Sequence, residues 1–120
     1  MDVAARVAVG AIAALHVYIL VLEMFLWRTP RGRRAFGTTE EFATASAPLA
    51  ANQGLYNGFL AAGLVWGLIA SDPTGFAARV FFLACVLVAG VYGAVTVNRR
   101  ILFVQAVPAA VALLLVLLSH

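Results

Sequence analysis

Four long apolar segments, separated by short polar ones, constrain the fold of this chain more than any other feature. Of its 120 residues, 64% are hydrophobic and 11% are charged, whereas a soluble domain carries roughly 25% charged residues. Apolar segments of about 18 residues or more are typical of transmembrane helices. The sequence therefore predicts an all-α, polytopic membrane protein. We expect one domain over residues 1–120, a bundle of four transmembrane helices at about residues 3–27, 48–70, 76–97 and 101–118.

The polar breaks between these segments predict where the helices begin and end. Pro48 suits a first helical turn, with Ser46 as a cap before it, so the second helix is expected to start there. Residues 71–75 form a turn cluster, and residues 98–100 leave room only for a tight antiparallel hairpin. Residues 38–41 fit a capping box. This segment predicts either a short surface helix or an irregular loop between the first two spans.

Glycine and proline inside the spans carry information about packing. Gly54 and Gly58, and likewise Gly63 and Gly67, are four residues apart on the second span. Small residues at this spacing let membrane helices approach closely, so they predict tight packing and offer faces for a homo-oligomer. Pro108 is expected to bend the fourth span and to free a backbone carbonyl.

The arginines predict the orientation of the chain. They are concentrated in two loops, Arg28, Arg31, Arg33 and Arg34 in the first and Arg99 and Arg100 in the last, with Arg6 and Arg79 on the opposite side. Because basic loops stay in the cytoplasm, we expect both termini outside. The net charge of +3 is explained by these flanking arginines, so nucleic acid is not an expected partner.

Within the first apolar segment, the stretch Val7–Trp27 carries an imidazole and an acid, His16 and Glu23. Their presence, with the length of the segment, argues against a signal peptide. Seven residues at about 100° each come to about 700°, so both side chains share one helix face. Ionisable groups inside membrane spans usually face a protein interior or a wet cavity, which makes both residues functional candidates. They lie about 10 Å apart along the axis, too far to chelate one metal ion unaided, and we expect no metal or other cofactor.

Polar side chains of all four spans fall in one layer of the membrane when residues are counted from the cytoplasmic ends. They are Glu23 and His16 on the first span, Asn52, Gln53, Tyr56 and Asn57 on the second, Tyr92 and Thr96 on the third, and Gln105 on the fourth. This layer predicts a ligand-binding pocket in the cytoplasmic half of the bilayer. The alternative is that these groups only form hydrogen bonds between helices.

Three sequence strings, at residues 16–19, 22–27 and 52–64, carry a family resemblance. The chain resembles a bacterial family of small four-helix integral membrane proteins that is classed as a domain of unknown function. The resemblance extends over nearly the whole chain, including the arginine-rich loop. It implies four spans and an inner-membrane location. It implies no activity and assigns no catalytic residue.

Three hypotheses of different class follow for function. The first is a protein that binds or transports a small solute, with Glu23 as a proton or cation site and a homo-oligomer providing the path. The second is an isomerase or epimerase that acts on a lipid-like substrate in the membrane and uses Glu23 and His16 to move a proton. The third is a structural or accessory membrane subunit, in which the polar residues only fix the register of the helices.

Overall fold

A computed structural model describes residues 2–120 of the chain. The regular structure in these residues is helical: α1 (Val3–Met24), α2 (Pro30–Phe36), α3 (Glu40–Ile69), α4 (Thr74–Thr96) and α5 (Val107–Leu118), with a π-helix at Leu102–Ala106 that runs into α5. The all-α prediction is confirmed. Both α1 and α4 are long and apolar enough to cross a membrane, and the apolar stretch Leu102–Leu118 is shorter. A membrane location is therefore possible.

The chain divides into two compact units. One is Ala14–Phe59, and the other combines the described residues up to Ala13 with Leu60–His120. Both α1 and α3 contribute residues to each unit. The second unit has a hydrophobic core built from α1, α3, α4 and α5, and its largest fully buried side chains are Val9, Leu64, Leu83, Val86 and Val116.

The α4–α5 connection is the antiparallel hairpin that the short break at residues 98–100 predicts. Near the connection, Gly90 lies against Ala106, and a Cβ on Gly90 would be 2.9 Å from the Ala106 backbone nitrogen. At the far end, the rings of Phe76 and His120 stack with centroids 3.7 Å apart. Residue numbers rise along one helix as they fall along its neighbour, which confirms the antiparallel arrangement.

The disturbance expected at Pro108 takes the form of the π-helix just before it. Proline lacks an N–H, and its ring crowds the preceding helical turn. A wider π-helical turn is one of the few ways in which a helix accommodates such an interruption. Here the Val107 N–H donates to the Leu102 carbonyl, five residues earlier.

Helix α3 begins earlier than Pro48, so the predicted helix start is wrong. Pro48 lies inside α3. The Thr39 hydroxyl accepts a hydrogen bond from the Phe42 N–H at 3.1 Å and caps the helix instead. The predicted cap, Ser46, donates to the Phe42 carbonyl and accepts a hydrogen bond from the Trp27 indole at 3.1 Å. The cap at Thr39 and the contact with Trp27 stabilise the additional helical turns.

A short helix does lie between α1 and α3, but it is α2, before the capping box. Thr29 caps it by accepting a hydrogen bond from the Gly32 N–H at 3.3 Å, and Pro30 occupies its first turn. Gly37 ends the helix with φ +66°, a left-handed conformation that glycine adopts without steric cost. Residues 38–41 therefore open α3 rather than a separate surface helix.

The four spaced glycines of α3 pack against helices of the same chain. Gly54 and Gly58 lie against α1, and Gly63 and Gly67 lie against α4. A Cβ on Gly58 would be 2.7 Å from Cδ1 of Leu20. The expected close packing of helices is confirmed, and the homo-oligomer stays a prediction.

Candidate functional site

The centre of the candidate site is a hydrogen bond between Glu23 and Asn57 in the unit Ala14–Phe59. Glu23 lies one residue before the end of α1 and is partly buried. Its Oε1 accepts a hydrogen bond from Asn57 Nδ2 of α3 at 2.6 Å, and the same nitrogen donates to the Gln53 carbonyl at 3.2 Å. The amide of Asn57 thus fixes one carboxylate oxygen and cross-links α1 to α3.

A glycine makes the close approach of these two helices possible. A Cβ on Gly54 would lie 3.1 Å from Cβ of Glu23 and 2.6 Å from Cγ of Met24. Any larger residue would push α1 away from α3. Because Gly54 and Asn57 are three residues apart, they lie on neighbouring positions of the same α3 face. The sequence string around Gly54 thus combines a close-packing residue with a hydrogen-bond donor.

The carboxylate of Glu23 has no basic partner in its own unit. Within Ala14–Phe59, no arginine lies within ion-pair distance of it. A neutral amide can orient a carboxylate, but it cannot neutralise it. A carboxylate in an apolar helix without a counter-charge has a strong tendency to take up a proton or a small cation. His16, the other ionisable candidate that the sequence places on this face of α1, is fully buried.

The remaining predicted residues of α3 lie on more open parts of its surface. Asn52 and Gln53 are exposed. Tyr56 is 53% exposed, and its ring packs edge-to-face against Phe59 with centroids 5.8 Å apart. Among the α3 side chains predicted to line the pocket, Asn57 is the one that the structure joins to Glu23.

Three predicted residues belong to the other unit, where two of them form hydrogen bonds to backbone carbonyls. The Thr96 hydroxyl donates to the Tyr92 carbonyl one turn earlier at 2.7 Å, and Gln105 Nε2 donates to the Val86 carbonyl of α4 at 3.2 Å. The Tyr92 side chain is 71% exposed. Gln105 therefore acts as a link between neighbouring helices, as the structural alternative predicts for such amides.

A second charged group inside an apolar helix, Arg79, was interpreted from the sequence only as a topology signal. It is 4% exposed, near the start of α4. Its Nη1 donates to the Gly67 carbonyl at 2.6 Å, and its Nη2 pairs with Asp72 Oδ1 at 3.2 Å. The one sequence signal for this pairing is the acid seven residues before the arginine.

The sequence comparisons give a family and no activity. A family model described as "Protein of unknown function (DUF1304)" matches residues 10–117, a range that contains every predicted site residue. The chain belongs to this family. It is also 31% identical over 105 residues to an uncharacterized protein YpaA of Lactococcus lactis subsp. lactis (strain IL1403), a match covering 86% of this chain and 87% of the relative. No solved structure matches the chain. The family resemblance drawn from the sequence strings is confirmed.

Proposed function

We propose that this DUF1304 protein binds or transports a small solute in the inner membrane, with Glu23 as its proton or cation site. The observation that carries the proposal is the Glu23 carboxylate itself. It lies on an apolar helix, is held at 2.6 Å by the neutral amide of Asn57, and has no basic partner within Ala14–Phe59.

The proposed topology has four spans, with the arginine-rich loops in the cytoplasm and both termini outside. The apolar lengths of α1 and α4 support two of the spans. Helix α3 has 30 residues, enough to cross about 30 Å of hydrocarbon with turns to spare. Under this topology Glu23 lies near the cytoplasmic end of α1, and a pocket around it opens toward the cytoplasm.

Glu23 and Asn57 have different parts in the proposed mechanism. The ionised carboxylate attracts a proton or a cationic group, and binding either one removes the unfavourable charge from the apolar helix. The Asn57 amide donates to one carboxylate oxygen in each state and so keeps the carboxyl group in a fixed orientation. Exchange of a proton for a cationic solute at this one group would couple their movements. The four proposed spans of a single copy are too few to enclose a path across the bilayer, so transport also requires a homo-oligomer.

The proposal is tested by measuring proton release from the purified full chain in weakly buffered detergent solution. Tetraphenylphosphonium and Na⁺ serve as the amphipathic and inorganic cation probes. We expect one of them to release protons from the wild-type protein and from Glu40→Gln, which removes an exposed carboxylate at the start of α3. The same probe should release none from Glu23→Gln. Equal release from all three proteins would contradict the proposal.

A reactivity measurement tests the same carboxyl group without a chosen solute. Dicyclohexylcarbodiimide is apolar and reacts with protonated carboxyl groups in membrane proteins. Mass spectrometry of the treated wild-type protein should place one adduct on Glu23, and the active cation probe should slow its formation. An adduct confined to Glu40 and Glu41 would show that Glu23 is not available for proton exchange.

The cross-link between α1 and α3 supports a second candidate, a structural role as an accessory subunit. The Glu23–Asn57 hydrogen bond joins two helices that already pack closely at Gly54. Interhelical hydrogen bonds of this kind stabilise membrane proteins by about 0.6 kcal/mol on average. This candidate expects Glu23→Gln to leave every cation-dependent signal unchanged and to cause only a small loss of stability.

A further inference from the structure

A small cavity on the unit Ala14–Phe59 does not include Glu23, and two of its four lining residues are arginines. It has a volume of about 310 Å³ and is lined by Pro30, Arg33, Arg34 and Thr38. Pro30, Arg33 and Arg34 share one face of α2, and Thr38 follows the left-handed Gly37 that ends the helix. The volume is at the lower end of the range for small-molecule sites, about 300–1,000 Å³. The cavity is thus large enough for one small anionic group.

Two polar atoms of the lining residues have no hydrogen-bond partner. Nε of Arg33 and the hydroxyl of Thr38 are shielded from solvent and unpaired among residues 2–120. Buried polar groups in proteins nearly always have a partner, and an exception needs an explanation. Capping does not supply it, because Thr29 caps α2 and Thr39 caps α3. Both unpaired atoms therefore belong to residues that line the cavity.

The hydrogen-bond donors that line the cavity favour an oxyanion as its ligand. None of the four lining residues is acidic. Arginine presents a planar fork of N–H donors that matches two oxygens of a phosphate group, and a threonine hydroxyl can donate to a third. Both arginines lie in the last turn of α2, so the side chains supply the attraction and the helix dipole does not.

The position of the cavity in the chain points to the membrane surface. Between α1 and α2, the Trp27 indole donates to Ser46 and its ring packs against Phe36 with centroids 4.9 Å apart. Tryptophan is enriched at the boundary between lipid headgroups and water. The cavity begins at Pro30, three residues after Trp27, and so lies at headgroup depth in the proposed topology.

The geometry points to a lipid site: Arg33, Arg34 and Thr38 bind the phosphate of an anionic phospholipid headgroup. This inference depends on the membrane location and not on the role of Glu23. It differs from the diffuse attraction that any basic loop exerts on an anionic membrane, because it assigns the binding to one cavity and to an uncharged hydroxyl within it.

The test uses the purified full chain in detergent, titrated with phosphatidylglycerol or with phosphatidylcholine, and native mass spectrometry to count the lipids retained. We expect one phosphatidylglycerol to be retained per chain in preference to phosphatidylcholine. Thr38→Val keeps the shape and every charge but removes the hydroxyl, and it should weaken retention about tenfold. Thr44→Val, at an exposed position of α3 outside the cavity, is its control and should change nothing.

A second pair of variants separates the cavity from general charge. Arg33→Gln should weaken phosphatidylglycerol retention by more than tenfold. Arg31→Gln makes the same change of charge at an exposed position of α2 outside the cavity, and it should weaken retention by less than about fivefold. Equal losses in the two variants, with no effect of Thr38→Val, would overturn the assignment. Circular dichroism checks that each variant keeps its helices.

A competition experiment with inorganic phosphate distinguishes a phospholipid headgroup from free phosphate as the ligand of the cavity. For a lipid site, millimolar inorganic phosphate should not displace phosphatidylglycerol, because the free anion lacks acyl chains to anchor it. Displacement at low millimolar phosphate that disappears in Arg33→Gln would assign the cavity to a soluble phosphate and overturn the lipid assignment. Equal retention of phosphatidylglycerol and phosphatidylcholine by the wild-type protein would also overturn it.

Discussion

Two charged side chains on apolar helices, Arg79 and Glu23, differ in how their charge is compensated. Arg79, near the start of α4, is 4% exposed and bonds to both the Gly67 carbonyl and the Asp72 carboxylate. Glu23, near the end of α1, is only partly buried and receives one hydrogen bond, from the neutral amide of Asn57.

The two sites differ in whether a neighbouring group of opposite charge neutralises the side chain. Arg79 has a counter-ion and a carbonyl acceptor, so its charge is compensated within the α3–α4 turn, and of its guanidinium nitrogens the buried Nε has no partner among the described residues. Glu23 is oriented but not neutralised, which is the basis of the proposed proton or cation site. This contrast explains why we assign a structural role to the more deeply buried charge and a functional role to the less buried one.

The largest effect on stability is expected from Arg79→Met. The variant removes two charge-assisted hydrogen bonds and leaves the Gly67 carbonyl and the Asp72 carboxylate without their partner. We expect the free energy of unfolding to fall by about 3 kcal/mol, measured by denaturant titration in detergent micelles. Arg79→Lys keeps the charge but not the planar fork and should recover part of the loss. An unchanged stability would remove the contrast between the two sites.

Asp72→Asn isolates the contribution of the ion pair. The Asp72 side chain is 52% exposed, and its Oδ1 also accepts a hydrogen bond from the Phe76 N–H at 2.9 Å. Asparagine keeps an oxygen for Phe76 and loses only the charge. Because solvent screens a half-exposed pair, the expected loss is about 1.5 kcal/mol, at the low end for charged hydrogen bonds. The same titration at high salt should reduce the difference between Asp72→Asn and the wild type.

Asn57→Leu tests the cross-link between α1 and α3. It removes the donor to Glu23 while keeping a side chain of similar size. We expect a loss of about 1 kcal/mol, since hydrogen bonds between membrane helices contribute about 0.6 kcal/mol on average and about 1.7 at most. A double-mutant cycle with Glu23→Gln measures the coupling between the two side chains directly. A coupling energy of zero would mean that the 2.6 Å hydrogen bond does not stabilise the fold.

The parts of the fold that were predictable depend on local sequence. The turn cluster at residues 71–75 and the break at residues 98–100 mark real helix ends, because turn-forming residues such as proline, glycine and asparagine interrupt the apolar pattern there. Pro48 does not predict the start of α3, since the helix continues on the N-terminal side of this proline. The cap at Thr39 and the hydrogen bond between Trp27 and Ser46 stabilise that part of the helix. The position of α2 depends on the local cap at Thr29, a signal that the sequence does contain.

The candidate site was predictable at its centre and not around it. Glu23 stands out because a carboxylate in an apolar segment is rare, and Asn57 lies in the richest polar string of α3. Which amide reaches Glu23 depends on helix rotation and on the close contact at Gly54, and neither is encoded in a pattern of polar residues. The burial of Arg79 likewise depends on Gly67, which supplies a backbone carbonyl and has no side chain to occupy the space of the arginine.

Glu23→Gln should have the smallest effect on stability and the largest on function. Glutamine has nearly the same shape and keeps an oxygen that can accept the hydrogen bond from Asn57. Removing an unpaired carboxylate from an apolar helix also lowers the cost of burial, so we expect the free energy of unfolding to change by less than about 0.5 kcal/mol. Cation-driven proton release should nevertheless disappear. Intact proton release with only a small loss of stability would reverse the comparison: Glu23 would then be a structural residue like Arg79, and its single hydrogen bond to Asn57 would be its whole function.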